Sequence, residues 1–131
     1  MPRTIALLAA VAAFPLAAHA AGAPSPALRS CTGARLVRPA GTVVLSCADG
    51  NSEITATRWH AWTPTQAIGT TDFGVNLCTP TCVASRIRFY PGATIRLLDP
   101  TPTSTGPVFS RAVVTYRRGG ERRTFTAYPA T

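Results

Sequence analysis

The sequence predicts an all-β fold: an antiparallel β-sandwich of about seven strands, immunoglobulin-like in general shape. Three observations predict it. Short segments rich in β-branched and aromatic residues recur along the chain. Clusters of Gly, Pro, Asp and Asn, which are typical of turns, separate these segments. No helical period follows residue 20. A small β-barrel is the alternative architecture.

The central hairpin is expected to have two strands, over residues 42–47 and 53–62. Asp49-Gly50-Asn51 lies between them and supplies residues that tolerate a positive φ. Trp59 and Trp62 are three positions apart, so they cannot share one face of a regular strand. A β-bulge between them would place both tryptophans on one face. We expect that face to be the core, and a sugar-stacking platform is the alternative for the pair.

The remaining strands are expected from the same signals. Val83, Ile87 and Phe89 should share one face of a strand, with Arg86 and Arg88 on the other. Pro91-Gly92 should end that strand, residues 99–107 should form a loop, and Gly119-Gly120 should form a turn. The expected strands are 35–38, 68–77, 83–90, 93–97, 109–116 and 123–128.

The first 20 residues have the pattern of a secretory signal peptide. Arg3 precedes an apolar segment over residues 5–18, and Ala18-His19-Ala20 fits a cleavage site. The apolar segment is too short to cross a bilayer, and no later segment is long and apolar enough. We therefore expect a product that is extracellular or loosely associated with the cell envelope, with no transmembrane segment.

The signal peptide sets the expected domain boundaries. Cleavage is expected after Ala20, with Ala23 as a second option. A Pro-, Ala- and Ser-rich stretch follows and is expected to be a flexible leader. The expected organisation is therefore a signal peptide over residues 1–20, a leader over 21–30 and one domain over 31–131, most simply a monomer.

Four cysteines in an exported chain imply two disulfides. Three pairings are possible, and we favour Cys31–Cys47 with Cys78–Cys82, which joins neighbours in sequence. A zinc site would need a second close cysteine pair or more histidines. His60 is the one histidine left after processing, so no metal is expected.

No constellation of residues supports catalysis, and no cofactor is expected. A hydrolase would need His60 with an aspartate and an exposed serine, and no nucleophile-elbow motif is present. A hydrolase is therefore the weakest of three functional hypotheses. The aspartates available to His60 are Asp49, Asp72 and Asp99.

The positive charge favours an anionic partner. All 13 basic residues are arginines against five acidic residues, and without Arg3 the net charge is 12 minus 5, or +7. Nucleic acid is not expected, because the protein is exported and no recognition motif is visible. The first hypothesis is thus a secreted, non-enzymatic binding protein that holds an anionic envelope polymer. The candidate anion-binding residues are Arg117, Arg118, Arg122 and Arg123 at the expected hairpin tip, extended by Arg86 and Arg88.

The second hypothesis is a module that binds another protein, such as an inhibitor of a secreted protease. The loop between Cys78 and Cys82 would present Thr79, Pro80 and Thr81 as contacts.

Several short motifs lie between residues 47 and 116. They are Cys47-Ala48-Asp49-Gly50-Asn51, Trp59-x-x-Trp62, Gly69-Thr70, Asn76-x-Cys78-x-Pro80-x-Cys82, Tyr90-Pro91, Phe109-x-Arg111 and Val114-Thr115-Tyr116. This set of motifs resembles an uncharacterised family of small exported actinobacterial proteins. The resemblance implies export and a β fold, but no catalytic residue. The chain departs from the family pattern at Val83-Ala84-Ser85, where Ala-x-Gly often follows the second cysteine.

Overall fold

Eight β-strands and no helix form the part of the chain that the computed structural model describes, Gly22 and residues 24–131. The predicted signal peptide, residues 1–20, lies outside the described residues. The strands are β1 (Leu28–Arg29), β2 (Arg35–Leu36), β3 (Val43–Val44), β4 (Ser52–Trp62), β5 (Ala67–Asn76), β6 (Ile87–Thr101), β7 (Val108–Arg118) and β8 (Glu121–Ala127).

The strands form two antiparallel sheets. Strands β3 to β8 make a six-stranded sheet in which each strand pairs with its neighbour in the chain. Strands β1 and β2 make a separate two-stranded sheet, and a bridge between Ala27 and Val108 connects it to β7. The predicted all-β, antiparallel, sandwich-like fold is therefore confirmed.

The six-stranded sheet curls around the core. The ring centroids of Phe73 in β5 and Phe125 in β8 are 5.3 Å apart, although β6 and β7 lie between these strands. A flat sheet would separate the two strands by about 14 Å. Trp62 in β4 and Phe109 in β7 also meet across two intervening strands, with ring centroids 5.6 Å apart. The concave side of the sheet, called the inner face here, therefore encloses the core.

Residues before Cys31 close one part of this core. Pro26, Ala27 and Leu28 are buried. The backbone carbonyl of Pro26 accepts a hydrogen bond from the indole N–H of Trp62 at 2.9 Å. The folded domain thus begins before Cys31, and the expected flexible leader does not extend over residues 26–29. Burial of Leu28 and pairing of β1 with β2 hold this segment in place.

The predicted bulge in β4 is present. The pairing of β4 with β5 shifts between Trp59 and Ala61, so His60 is the extra residue. The rings of Trp59 and Trp62 meet edge to face at 4.8 Å between centroids. Trp62 is buried and Trp59 packs against the core, as the core interpretation expects. The indole N–H of Trp59 also donates to the carbonyl of Pro39 at 2.9 Å.

Strand β6 differs from the prediction. The two strands expected over 83–90 and 93–97 are one strand of 15 residues, and Pro91-Gly92 does not end it. The proline, which has no N–H to donate, lies where the register with β5 shifts between Thr71 and Phe73. Val83 was expected to share a strand face with Ile87 and Phe89, but it lies outside the strand and is 99% exposed; Phe89 lies within the strand and is 51% exposed. The turn after Cys82 carries Val83 away from the sheet.

One ion pair fixes the β6–β7 pairing on the surface. Arg111 Nε donates to Asp99 Oδ2 at 2.6 Å. This hydrogen bond lowers the pKa of Asp99 below its usual value and raises the pKa of Arg111. Both side chains are exposed, so the pair contributes little to stability.

Candidate functional site

The convex side of the six-stranded sheet, called the outer face here, carries polar side chains. Along β6, Ala93, Ile95 and Leu97 are buried, whereas Thr94 and Arg96 between them are exposed. This alternation follows from the period of two in a strand that has one face on the core and the other in solvent. The side chains of the outer face are therefore the ones available to a ligand.

Four threonines form a row across the outer face. Thr70 pairs with Thr94, Thr94 with Thr115, and Thr115 with Thr124. Arg58 of β4 extends the row, because it is the register partner of Thr70. Adjacent strands are about 4.8 Å apart, so the row, called the threonine row here, presents hydroxyl groups at short and regular intervals.

A pocket of about 390 Å³ lies at the β4–β5 end of this row and is called the His60 pocket here. The bulge in β4 brings His60 over β5, where its Nε2 lies 2.7 Å from Thr70 Oγ1. The residues that line the pocket are Ala56, Arg58, His60, Thr70, Thr71, Asp72 and Gly92.

Arg58 and Asp72 both line the His60 pocket without forming an ion pair with each other. In the described part of the chain, the ion pairs are Arg111–Asp99 and Arg123–Glu121. A basic and an acidic residue therefore border the same cavity, and no ion pair joins them. Ala56, which also lines this pocket, has a φ of 50° where the β4–β5 register shifts between Thr55 and Arg58.

A second pocket, of about 190 Å³, lies at the β7–β8 end of the row and is called the Arg117 pocket here. Arg117 and Arg122 are direct register partners across β7 and β8. Like charges at directly opposite positions destabilise a strand pair. The residues that line the pocket are Pro91, Gly92, Thr94, Thr115, Tyr116, Arg117 and Arg122.

Gly92 lines both pockets, so they adjoin each other on the outer face. Its φ is 70°, and a Cβ atom added there would have no neighbour within 4 Å. The missing side chain therefore leaves an open passage between β5 and β7. The His60 pocket, Gly92 and the Arg117 pocket together are called the trough here.

The six predicted anion-binding arginines do not form one patch. Arg117 and Arg122 line the trough, and Arg117 Nη1 also donates to the carbonyl of Gly120 at 2.9 Å. Arg118 lies opposite Glu121, and Arg123 Nη2 forms an ion pair with the same carboxylate at 2.5 Å. By strand alternation, these two point to the other side of the hairpin.

The two remaining candidates are also away from the trough. Arg86 is exposed in the connection before β6. Arg88 is the register partner of the buried Val75 and so belongs to the inner side of the sheet. Neither residue lines the pockets of the outer face.

The two favoured disulfides, Cys31–Cys47 and Cys78–Cys82, are both formed. Asn76 braces the Cys78–Cys82 loop: its Oδ1 accepts from the N–H of Cys78 at 2.9 Å, and its Nδ2 donates to the carbonyl of Cys82 at 2.8 Å. Thr79, Pro80 and Thr81 are exposed at this β5–β6 connection. The loop is thus a separate surface, outside the trough.

The aspartates considered as partners of His60 have different surroundings. Asp49 accepts a hydrogen bond from the N–H of Asn51 in the β3–β4 turn, and Asp99 pairs with Arg111. Asp72 shares the pocket with His60, whose hydrogen bond goes to Thr70 instead. No aspartate therefore orients His60 within the described residues, and the hydrolase hypothesis gains no support.

Two further features are absent from the described residues. No group of three or more His, Cys, Asp or Glu side chains there could hold a metal ion. No helix in that part of the chain is long and apolar enough to cross a membrane. Comparisons with protein-family models, curated proteins and solved structures found no match to this chain. The resemblance to small exported actinobacterial proteins stays a prediction.

Proposed function

We propose that this protein is secreted, acts without catalysis, and binds an anionic polymer of the cell envelope through the Arg117 pocket. The observation that carries the proposal is the direct pairing of Arg117 with Arg122 beside the hydroxyl groups of Thr94 and Thr115. A bound phosphate, sulfate or carboxylate group would relieve the repulsion between the two guanidinium groups. It would also accept charge-assisted hydrogen bonds from both of them.

The rest of the charge distribution supports the same role. Without residues 1–20 the chain carries 12 arginines and five acidic residues, a net charge of +7. Such a charge attracts an anionic polymer at long range, and salt screens this attraction. Arg123 is paired with Glu121 and Arg118 lies opposite the same acidic residue, so both add to this field but are poorer direct contacts.

Replacing Arg117 and Arg122 together by glutamine should weaken binding to isolated cell envelopes about tenfold or more at low salt. A hydrogen bond to a charged group contributes about 1.5–3 kcal/mol, and 1.4 kcal/mol corresponds to a tenfold change in affinity. The measurement is co-sedimentation of the secreted domain, residues 21–131, with envelopes at low and moderate salt.

The matched control replaces Arg118 and Arg123 by glutamine. It removes the same two charges from the same hairpin but leaves the Arg117 pocket intact. We expect this control to lose much less binding. Equal losses in the two variants would show that net charge alone is responsible, and unchanged binding in the Arg117/Arg122 variant would refute the proposal.

A second candidate function is protein binding through the Cys78–Cys82 loop, as in a protease inhibitor. It is favoured by the braced, exposed loop and by Val83, which is 99% exposed directly after it. A Val83→Asp variant should then lose inhibition or capture of a secreted protease. If the parent protein inhibits no member of a protease panel, this candidate fails.

A further inference from the structure

The two ends of the trough have different chemistry. The Arg117 pocket offers two guanidinium groups and two hydroxyl groups, which suits a compact anion. The His60 pocket adds a carboxylate, Asp72, which repels anions but accepts hydrogen bonds from hydroxyl groups. One end therefore favours a charged group, and the other favours a neutral group that carries several hydroxyls.

The groups in the His60 pocket can both donate hydrogen bonds to a ligand hydroxyl group and accept hydrogen bonds from it. Arg58 only donates, ionised Asp72 only accepts, and the hydroxyl of Thr70 does both. Because Arg58 and Asp72 do not pair with each other, both sets of hydrogen-bonding groups remain available to a ligand. Neighbouring hydroxyls on one ring, as in a sugar, need this mixture of donors and acceptors.

The threonine row and Gly92 connect the two ends. Thr94 and Thr115 continue the hydroxyl lining from Thr70 toward the arginines, and Gly92 leaves the passage open. From β4 to β8 the trough crosses four strand spacings, or about 19 Å. This length accommodates more than one unit of a linear polymer.

We infer that the ligand of the trough is an acidic polysaccharide, with a sugar ring in the His60 pocket and an anionic group in the Arg117 pocket. This inference rests on the proposed function, since it names the polymer class that the same surface binds. Tyr116 is the one aromatic residue that lines the trough and is itself buried, so nucleic acid bases find no stacking platform there.

The test compares four anionic probes by fluorescence anisotropy with the secreted domain: the polymers polygalacturonate, inorganic polyphosphate and poly-glutamate of similar charge, and the short anion tripolyphosphate. Asp72→Asn keeps the shape of the side chain but removes its charge. We expect it to weaken polygalacturonate binding about tenfold, because charge-assisted hydrogen bonds to hydroxyls are lost. The same change should leave polyphosphate binding unchanged or make it tighter, because a repelling carboxylate is gone.

Gly92→Asn is the second variant. Asparagine tolerates a positive φ, and its side chain would occupy the passage between the pockets. Gly92→Asn should weaken the binding of polygalacturonate, which spans the passage, more than the binding of tripolyphosphate, which fits within the Arg117 pocket. Thermal unfolding of both variants checks that they remain folded.

The outcomes separate this inference from the proposed function. If Asp72→Asn and Gly92→Asn affect all probes alike, or if poly-glutamate binds as tightly as polygalacturonate, the polysaccharide inference is overturned while anion binding stands. If the Arg117→Gln/Arg122→Gln variant binds every probe as the parent does, the proposed function fails as well.

Discussion

Replacing Phe73 by alanine should lower the free energy of unfolding by about 3–5 kcal/mol, the range observed for large-to-small changes at buried aromatic residues. Phe73 is fully buried in β5. Its ring lies 5.1 Å from that of Tyr116 in β7 and 5.3 Å from that of Phe125 in β8, centroid to centroid. The substitution therefore leaves a cavity where the curled sheet meets itself. Denaturant unfolding, followed by tryptophan fluorescence, measures the effect.

Phe89→Ala is the matched control for Phe73→Ala. It removes the same side chain from the neighbouring strand β6, where the ring is 51% exposed. Because much of this ring is already in water, its removal should lower the free energy of unfolding by clearly less than Phe73→Ala does. Similar costs for the two variants would contradict the curled arrangement in which β5 and β8 share one core.

Replacing Leu28 by alanine should lower the free energy of unfolding by about 2–5 kcal/mol. Leu28 is fully buried and belongs to the core cluster, although it lies in the Pro-rich stretch. If residues 21–30 were a flexible leader, this change would not alter the free energy of unfolding. The measurement is again denaturant unfolding, with the midpoint and slope compared with those of the parent protein.

Leu98→Ala is the control for Leu28→Ala. Leu98 is a half-buried leucine in the middle of the six-stranded sheet. If the N-terminal segment is part of the core, Leu28→Ala costs more than Leu98→Ala, despite its position near the chain end. A smaller cost for Leu28→Ala would place residues 26–29 outside the cooperative fold.

The features that the sequence predicted well are local. Alternation of burial, the turn at Gly119-Gly120 and the bulge near His60 all follow from residues within a few positions of one another. The bulge is the clearest case, because two large aromatic residues three positions apart both need a core. Neighbouring cysteines also pair as expected.

The features that were missed depend on distant partners. Leu28 is buried because the chain at Ala27 bridges to Val108, which nothing near Leu28 in sequence reveals. Pro91-Gly92 is typical of a strand end by composition, but β5 pairs with β6 on both sides of it, at Tyr90 and at Ala93, and so carries the strand past it. Val83 was expected to begin this strand, but β6 begins only at Ile87.

In the candidate site, too, the features set by neighbouring residues were predicted and those set by distant residues were not. The dense arginine cluster was visible in the sequence, yet strand alternation divides it, so Arg117 and Arg122 lie on a different side from Arg118 and Arg123. The threonine row was not predicted. Its members come from four strands, and a shift of one residue in any register would remove them from the outer face.

The order of strands in the sheet has a consequence for kinetics. Each pairing from β3 to β8 joins chain neighbours, so the sheet can assemble hairpin by hairpin with short loops to close. The bridge between Ala27 and Val108 closes a far longer loop and so should form late. A contact that is absent from the folding transition state affects mainly the unfolding rate. Leu28→Ala should therefore accelerate unfolding while leaving the folding rate nearly unchanged. The N-terminal segment thus docks on a sheet that is already formed and slows its unfolding.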